Sequence, residues 1–193
     1  MKFAIALNSL TKAQFLNCFG SIYEHSEWVA DIVFDRGITV QDQDIAILAA
    51  RMAAIVDDAG QAQQMNLLCA HPELAGKLAI DGGLTAESTS EQASVGLDKC
   101  SPEEFAEFQR LNSAYGTAFG HPFIIAVRGL TRANILDAFR KRIDNDKPTE
   151  LATALAEVHK IAGIRLSALS NPAAWRQTVV PHSSSAASLI RLG

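Results

Sequence analysis

Cysteine is scarce in this chain of 193 residues: Cys18, Cys69 and Cys100 stand far apart, with no CxxC pair and no Cys/His cluster at metal-ligand spacing. That argues against a disulfide framework and against structural zinc, and it fits a reducing cytoplasm. An excess of positive charge is missing too. Seventeen basic side chains against 21 acidic ones leave a net charge of -4, so there is no electrostatic footprint for nucleic acid or an anionic membrane. No segment approaches the roughly 20 apolar residues that span a bilayer. The stretch from Met1 to Leu7 imitates a signal peptide, but Asn8 and Ser9 end it short of the roughly 7–15 residues of a usual apolar region. GxSxG, P-loop, GxGxxG and HExxH motifs are all absent, which removes the foothold for those enzyme classes.

What is present is an ordinary globular composition, 48% apolar and 20% charged, with helical periodicity along most of the chain. Thr11 is placed to cap a helix carrying Phe15, Phe19 and Ile22. A second short helix is expected from Trp28 to Phe34, a long buried one from Asp42 to Asp58, and another from Gln61 to Ala70 beyond Gly60. Ser101-Pro102 opens a helix along which Phe105, Phe108, Leu111, Tyr115 and Phe119 recur, and Gly120 and Pro122 end it. Phe123 to Val127 has strand character but no partner strand, so it reads as an extended connector into a helix over Thr131 to Asp144. A last helix is expected from about Thr149 to Ala168. The fold class is all-α: a single compact multi-helix domain over residues 1–170, with a flexible serine-rich C-terminal tail over 171–193.

Three places depart from plain helix patterning. Arg165 falls on the apolar stripe of the last helix, with Leu151, Leu155, Val158, Ala162 and Leu169. An arginine there must snorkel, pair with a carboxylate or meet an anionic ligand, and taken alone it reads first as a structural ion pair. In Ala70-His71-Pro72-Glu73-Leu74 the residue before proline is pushed out of the α region. His71 then forms an elbow between two helices, the second opened by Pro72, and is either an acid–base group or a hydrogen-bonded structural histidine. Ser88-Thr-Ser-Glu91-Gln92 has the form of a capping box, with Ser88 as the cap and Glu91 reaching back; Gly96 ends that short helix. His25 and the Asp57-Asp58 pair read as solvated or capping groups.

Taken together, these segments resemble the OHCU decarboxylase family, which acts on 2-oxo-4-hydroxy-4-carboxy-5-ureidoimidazoline (OHCU) in urate breakdown. The resemblance rests on Tyr23-Glu-His-Ser-Glu-Trp28, His71-Pro-Glu-Leu74, Ser88-Thr-Ser-Glu-Gln92 with Gly96-Leu97, Leu111-Asn112 with Tyr115, Phe119-Gly-His-Pro-Phe123 and Ile161-Ala-Gly-Ile-Arg165-Leu166, in order across about residues 10 to 170. Glu27 departs from the family, which often has proline there, and His121 occupies a variable position. The resemblance implies a cofactor-free decarboxylase, commonly a homodimer, that forms (S)-allantoin and CO2; with no ligand cluster in the sequence, no metal is expected. It assigns catalysis to His71, Glu91 and Arg165, and substrate contacts to Pro72, Ser88, Gln92 and the 119–125 backbone, including Phe119, Phe123, Ile124 and Ile125. The rival reading is a non-catalytic helical ligand-binding or interaction module on the same fold. His71, Glu91 and Arg165 together favour the enzyme, and the acidic balance disfavours a helix-turn-helix regulator.

Overall fold

The computed structural model describes residues 1–75 and 85–171; the expected tail lies outside them. Among the described residues there are eight α-helices and no strand beyond one isolated bridge between Lys2 and Asp44. The helices are α1 (Lys12–Phe19), α2 (Trp28–Asp35), α3 (Ile45–Asp57), α4 (Gln61–Cys69), α5 (Ala86–Ser94), α6 (Pro102–Phe119), α7 (Arg132–Arg142) and α8 (Lys147–Ala168).

Local chemistry explains most of the boundaries. Thr11 and Ser101 each take the backbone N–H of the third helical residue, and Gln14 and Glu104 return the bond. Helix α3 starts at Ile45, later than expected, because Asp44 is its cap. Asp42, fully buried, instead accepts the Thr39 backbone N–H and pairs with Arg51, closing a 3₁₀ turn over Val40–Gln43. Helix α8 starts earlier than expected, at Lys147, with Asp146 as cap and Pro148 in the first turn, where a missing N–H costs nothing.

Two apolar clusters form the core. One gathers Phe15, Phe19, Val33, Leu48, Met52 and Leu68 from α1 to α4 around Val158, Ala162 and Leu166 of α8. The other gathers Phe108, Leu111 and Tyr115 of α6 with Ile135 and Phe139 of α7 and with Leu74 and Leu97. Helix α8 packs against α3, α4 and α6.

The 123–127 connector runs between the clusters. Phe123, Ile125 and Val127 face the second and Ile124 and Ala126 the first, the two-residue alternation of extended chain. Its backbone is held from both sides: Arg142 Nη1 donates to the Ile124 carbonyl (2.7 Å), and the Ala126 N–H donates to Glu157 (2.8 Å). Arg142 also lies 4.4 Å from the Phe123 ring centroid and is paired with the fully buried Glu150, which further accepts from Asn145 (2.7 Å) and from the Tyr115 hydroxyl. This buried network fixes one wall of the site.

Candidate active site

Helix α4 ends at Cys69 and the chain turns at His71, as the following proline requires. Pro72 does not then open a helix: residues 72 and 73 are irregular and 74 and 75 form a turn, with Ala75 at φ +50°. Side chains serve this segment's backbone in place of helical bonds. Gln92 accepts from the Ala75 N–H (3.1 Å) and donates to Glu73 O (3.3 Å), Asn112 donates to Leu74 O (2.9 Å), and Gln109 donates to Ala75 O (2.9 Å).

That clamp fixes the imidazole of His71, which is 8% exposed. Its Nδ1 lies 3.0 Å from the Leu67 carbonyl oxygen. A carbonyl can only accept, so Nδ1 carries the proton and Nε2 the lone pair. Nε2 is buried without a partner among the described residues, a costly state for an acceptor unless the site uses it. Burial, partly offset by the Leu67 contact and by Glu24, pushes the His71 pKa below its ordinary 6.5, so the ring is neutral at pH 7.

Helix α5 supplies the opposite wall. Its cap is Thr85, which accepts the Ser88 N–H; Ser88 is the third helical residue, so the expected capping box at Ser88 and Glu91 does not form. The Ser88 hydroxyl instead donates to Glu24 (3.0 Å), alongside Thr85 (2.7 Å). Ser88, Glu91 and Gln92, spaced i, i+3 and i+4, share one face of the helix. Gly96, at φ +71°, lies just beyond its end, as expected.

Arg165 joins the walls. Its Nε and Nη2 donate to the two oxygens of Glu91 (2.9 Å each), and its Nη1 to Glu24 (2.7 Å) and to Ser21 O (3.3 Å). Nη2 also reaches Ser88 Oγ (3.4 Å). All five guanidinium hydrogens therefore have acceptors within the protein. Burial alone would lower the Arg165 pKa, but the two carboxylates raise it on balance, and the guanidinium stays charged. Desolvation likewise pushes Glu24 up, but hydrogen bonds from Thr85 and Arg165 hold it lower on balance. The triad Glu24, Arg165, Glu91 carries a net charge of -1.

These groups border a cavity of about 260 Å³. It is lined by His71, Pro72, Ser88, Glu91, Gln92, Phe123, Ile124, Ile125 and Arg165, nine of the ten sequence-predicted site residues. Phe119 stands apart: its ring leans on Tyr115 and His121, at 4.6 and 6.2 Å between centroids, and is not part of the lining. His121 is buried against Tyr115, and His25 is exposed, its φ of +46° turning the chain so that Glu24 points inward. Asp57 lies 3.0 Å from His159 Nε2, whose Nδ1 lies 2.9 Å from the Tyr23 hydroxyl, tying the Glu24 loop to α3 and α8.

Sequence reasoning gave no role to Glu24 or to the lining residues Ile161, Ile164 and Arg128. Glu24 had one signal: Arg165 on an apolar stripe reads first as half of an ion pair, and Glu24 is a carboxylate within a resembling motif.

The assembled face, with neutral His71, an Arg-bound Glu91 and an apolar connector, invites comparison with known proteins. A family model described as OHCU decarboxylase matches residues 8–167. The chain belongs to the OHCU decarboxylase family. Within it, the 2-oxo-4-hydroxy-4-carboxy-5-ureidoimidazoline decarboxylase of Halalkalicoccus jeotgali is 40% identical over 166 residues, 86% of this chain and 90% of that protein. The protein of the same name from Haloferax volcanii is also 40% identical, over 83% of this chain and 92% of its own. A crystal structure of (S)-allantoin synthase superposes with a TM-score of 0.68 at 34% identity, over 84% of this family member and 52% of that chain, about half its length.

Proposed function

We propose that this protein decarboxylates OHCU to (S)-allantoin and CO2 in urate degradation, with His71, Glu91 and Arg165 as its working residues. The observation that carries the reading is the His71 imidazole: neutral, fixed by Leu67, with an unpartnered Nε2 on the wall of a cavity that Glu91 and Arg165 also line.

The substrate's leaving carboxylate sits on a ring carbon that bears a hydroxyl and adjoins a C=N bond. When the C–C bond breaks, its electron pair flows into that C=N, so the substrate supplies its own electron sink. The protein's task is to hold the ring, exclude water and move protons. His71 Nε2 accepts the hydroxyl proton as the ring carbonyl forms, and the imidazolium returns a proton to the ring. One proton from water enters overall, replacing CO2. Glu91 lines the cavity and accepts N–H groups of the ring or ureido arm. Arg165, its donors engaged, is the positioning residue that holds Glu91 by two bonds. Pro72, Ser88 and Gln92 hold the walls, and Phe123, Ile124 and Ile125 supply the apolar face.

Freshly generated OHCU followed with and without protein tests this reading. We expect consumption well above spontaneous decay, unchanged after exhaustive chelation. Decay at the background rate would fit the non-catalytic module. Activity that vanishes with EDTA and returns with one metal would overturn the mechanism.

Glu91→Gln keeps the side chain's shape, and the capping role that glutamine would share is absent in this structure. A folded variant is expected to lose about 10- to 100-fold in kcat, within the range of a positioned polar group. Normal kcat with only a lower Tm would make Glu91 structural.

A pH profile follows from His71. Its folded pKa lies below 6.5, so the unfolded chain takes up this proton first as pH falls. The stability that neutral His71 contributes is complete above about 6.5 and is lost as pH drops through the folded value. The base follows the same course, so the acid limb of kcat/KM is expected below 6.5. A limb at or above 6.5 would point to another group.

The same reading includes a homodimer in the cytoplasm. The family resemblance supports the dimer, and the free thiols of Cys18, Cys69 and Cys100 support a reducing compartment. Light scattering coupled to gel filtration decides the first.

A further inference from the structure

The proposed substrate carries a carboxylate, and the charge of the site poses a problem for it. Neutral His71 adds nothing, and the Glu24–Arg165–Glu91 triad contributes -1. Arg165 cannot answer the carboxylate, because its five N–H groups are engaged by Glu24, Glu91, Ser88 and Ser21. An anion entering beside two carboxylates and no available cation would be repelled.

Of the described residues lining the cavity, only one other side chain carries fixed positive charge. Arg128 follows the apolar connector directly, is exposed, and makes no hydrogen bond or ion pair with any described residue. It borders two adjoining clefts as well, so it stands where the cavity opens to its surroundings. The flanking Gly129 has φ +81°, and the Leu130 N–H bonds back to Val127 O (2.9 Å), so a tight turn presents the side chain.

We propose that Arg128 is the residue that captures the substrate carboxylate at the cavity mouth. This rests on the decarboxylase reading above. The division of labour follows from the chemistry. A carboxylate paired deep in the site would lose its partner as it departs as neutral CO2, so a buried cation there would stabilise the ground state more than the transition state. At the rim, in water, a cation draws the anion in and holds it only weakly. Arg128 thus acts on binding of an anionic ligand and much less on turnover. Allantoin, the neutral product, has no carboxylate for it to hold.

Kinetics of Arg128→Gln on fresh OHCU, beside calorimetric binding of (S)-allantoin to both proteins, test this. KM is expected to rise about three- to tenfold, with a smaller change in kcat and unchanged allantoin affinity. Added NaCl should raise the wild-type KM more steeply than the variant's, and Arg128→Lys should recover part of the loss. An unchanged KM, or an equal loss of allantoin affinity, would overturn the carboxylate role while leaving the decarboxylase reading intact. A wild-type protein that does not accelerate OHCU decay would overturn that reading, and this inference with it.

Discussion

His71→Ala is expected to remove about 10²- to 10⁴-fold of the acceleration while the protein remains folded. The ring's Nδ1 makes one bond, to the Leu67 carbonyl at the end of α4, and Nε2 makes none with the described residues. Its removal therefore gives up one backbone contact and some packing, whereas Gln92, Asn112 and Gln109 continue to hold the 73–75 segment. Loss of catalysis should far exceed loss of stability. His71→Asn is the sharper companion, because asparagine can still reach toward Leu67 but offers no base. Near-wild-type turnover in either folded variant would remove His71 from the mechanism.

Arg165→Lys is the second large effect, and here stability and activity fall together. Lysine keeps the charge but offers three donors from one point in place of a planar fork. It cannot hold both oxygens of Glu91 and also reach Glu24 and Ser21 as the guanidinium does. A buried carboxylate left without its partner is costly, on the order of 3–5 kcal/mol when a partner is removed outright and less when a charge remains nearby. We expect kcat/KM to fall about tenfold or more, equivalent to ~1.4 kcal/mol, together with a lower Tm. The loss should persist in the folded fraction, because Glu91 is no longer held in one orientation. If Arg165 only neutralises Glu24 and Glu91, Tm falls and the folded fraction keeps wild-type kinetics. Measuring both on one preparation separates the two.

The parts of this molecule that could be read in the sequence are those decided locally. The caps at Thr11 and Ser101, the elbow at His71-Pro72 and the unpaired extended connector depend on neighbours within a few residues. Ser88 misled because two cap-type residues lie three apart. Thr85 takes the cap, and the Ser88 hydroxyl is drawn away to Glu24, 64 positions distant along the chain. The Glu24–Arg165 pair spans 141 positions. Periodicity placed Arg165 on an apolar stripe and favoured an ion pair there, but no spacing rule could say with which carboxylate. No local pattern in the sequence marks Arg142 or Glu150. Only the tertiary arrangement shows that they stand behind Ile124 and Phe123 and support the cavity wall.

The most direct measurement of the decarboxylase mechanism is the handedness of allantoin formed from fresh OHCU, followed by circular dichroism at a protein concentration where catalysis outruns spontaneous decay. A site that fixes the ring between His71 and the Arg165-bound Glu91 delivers the carbon-bound proton to one face. We expect a growing signal of (S)-allantoin, abolished in His71→Ala. Racemic product appearing at the spontaneous rate, with folded wild-type protein present, would contradict it.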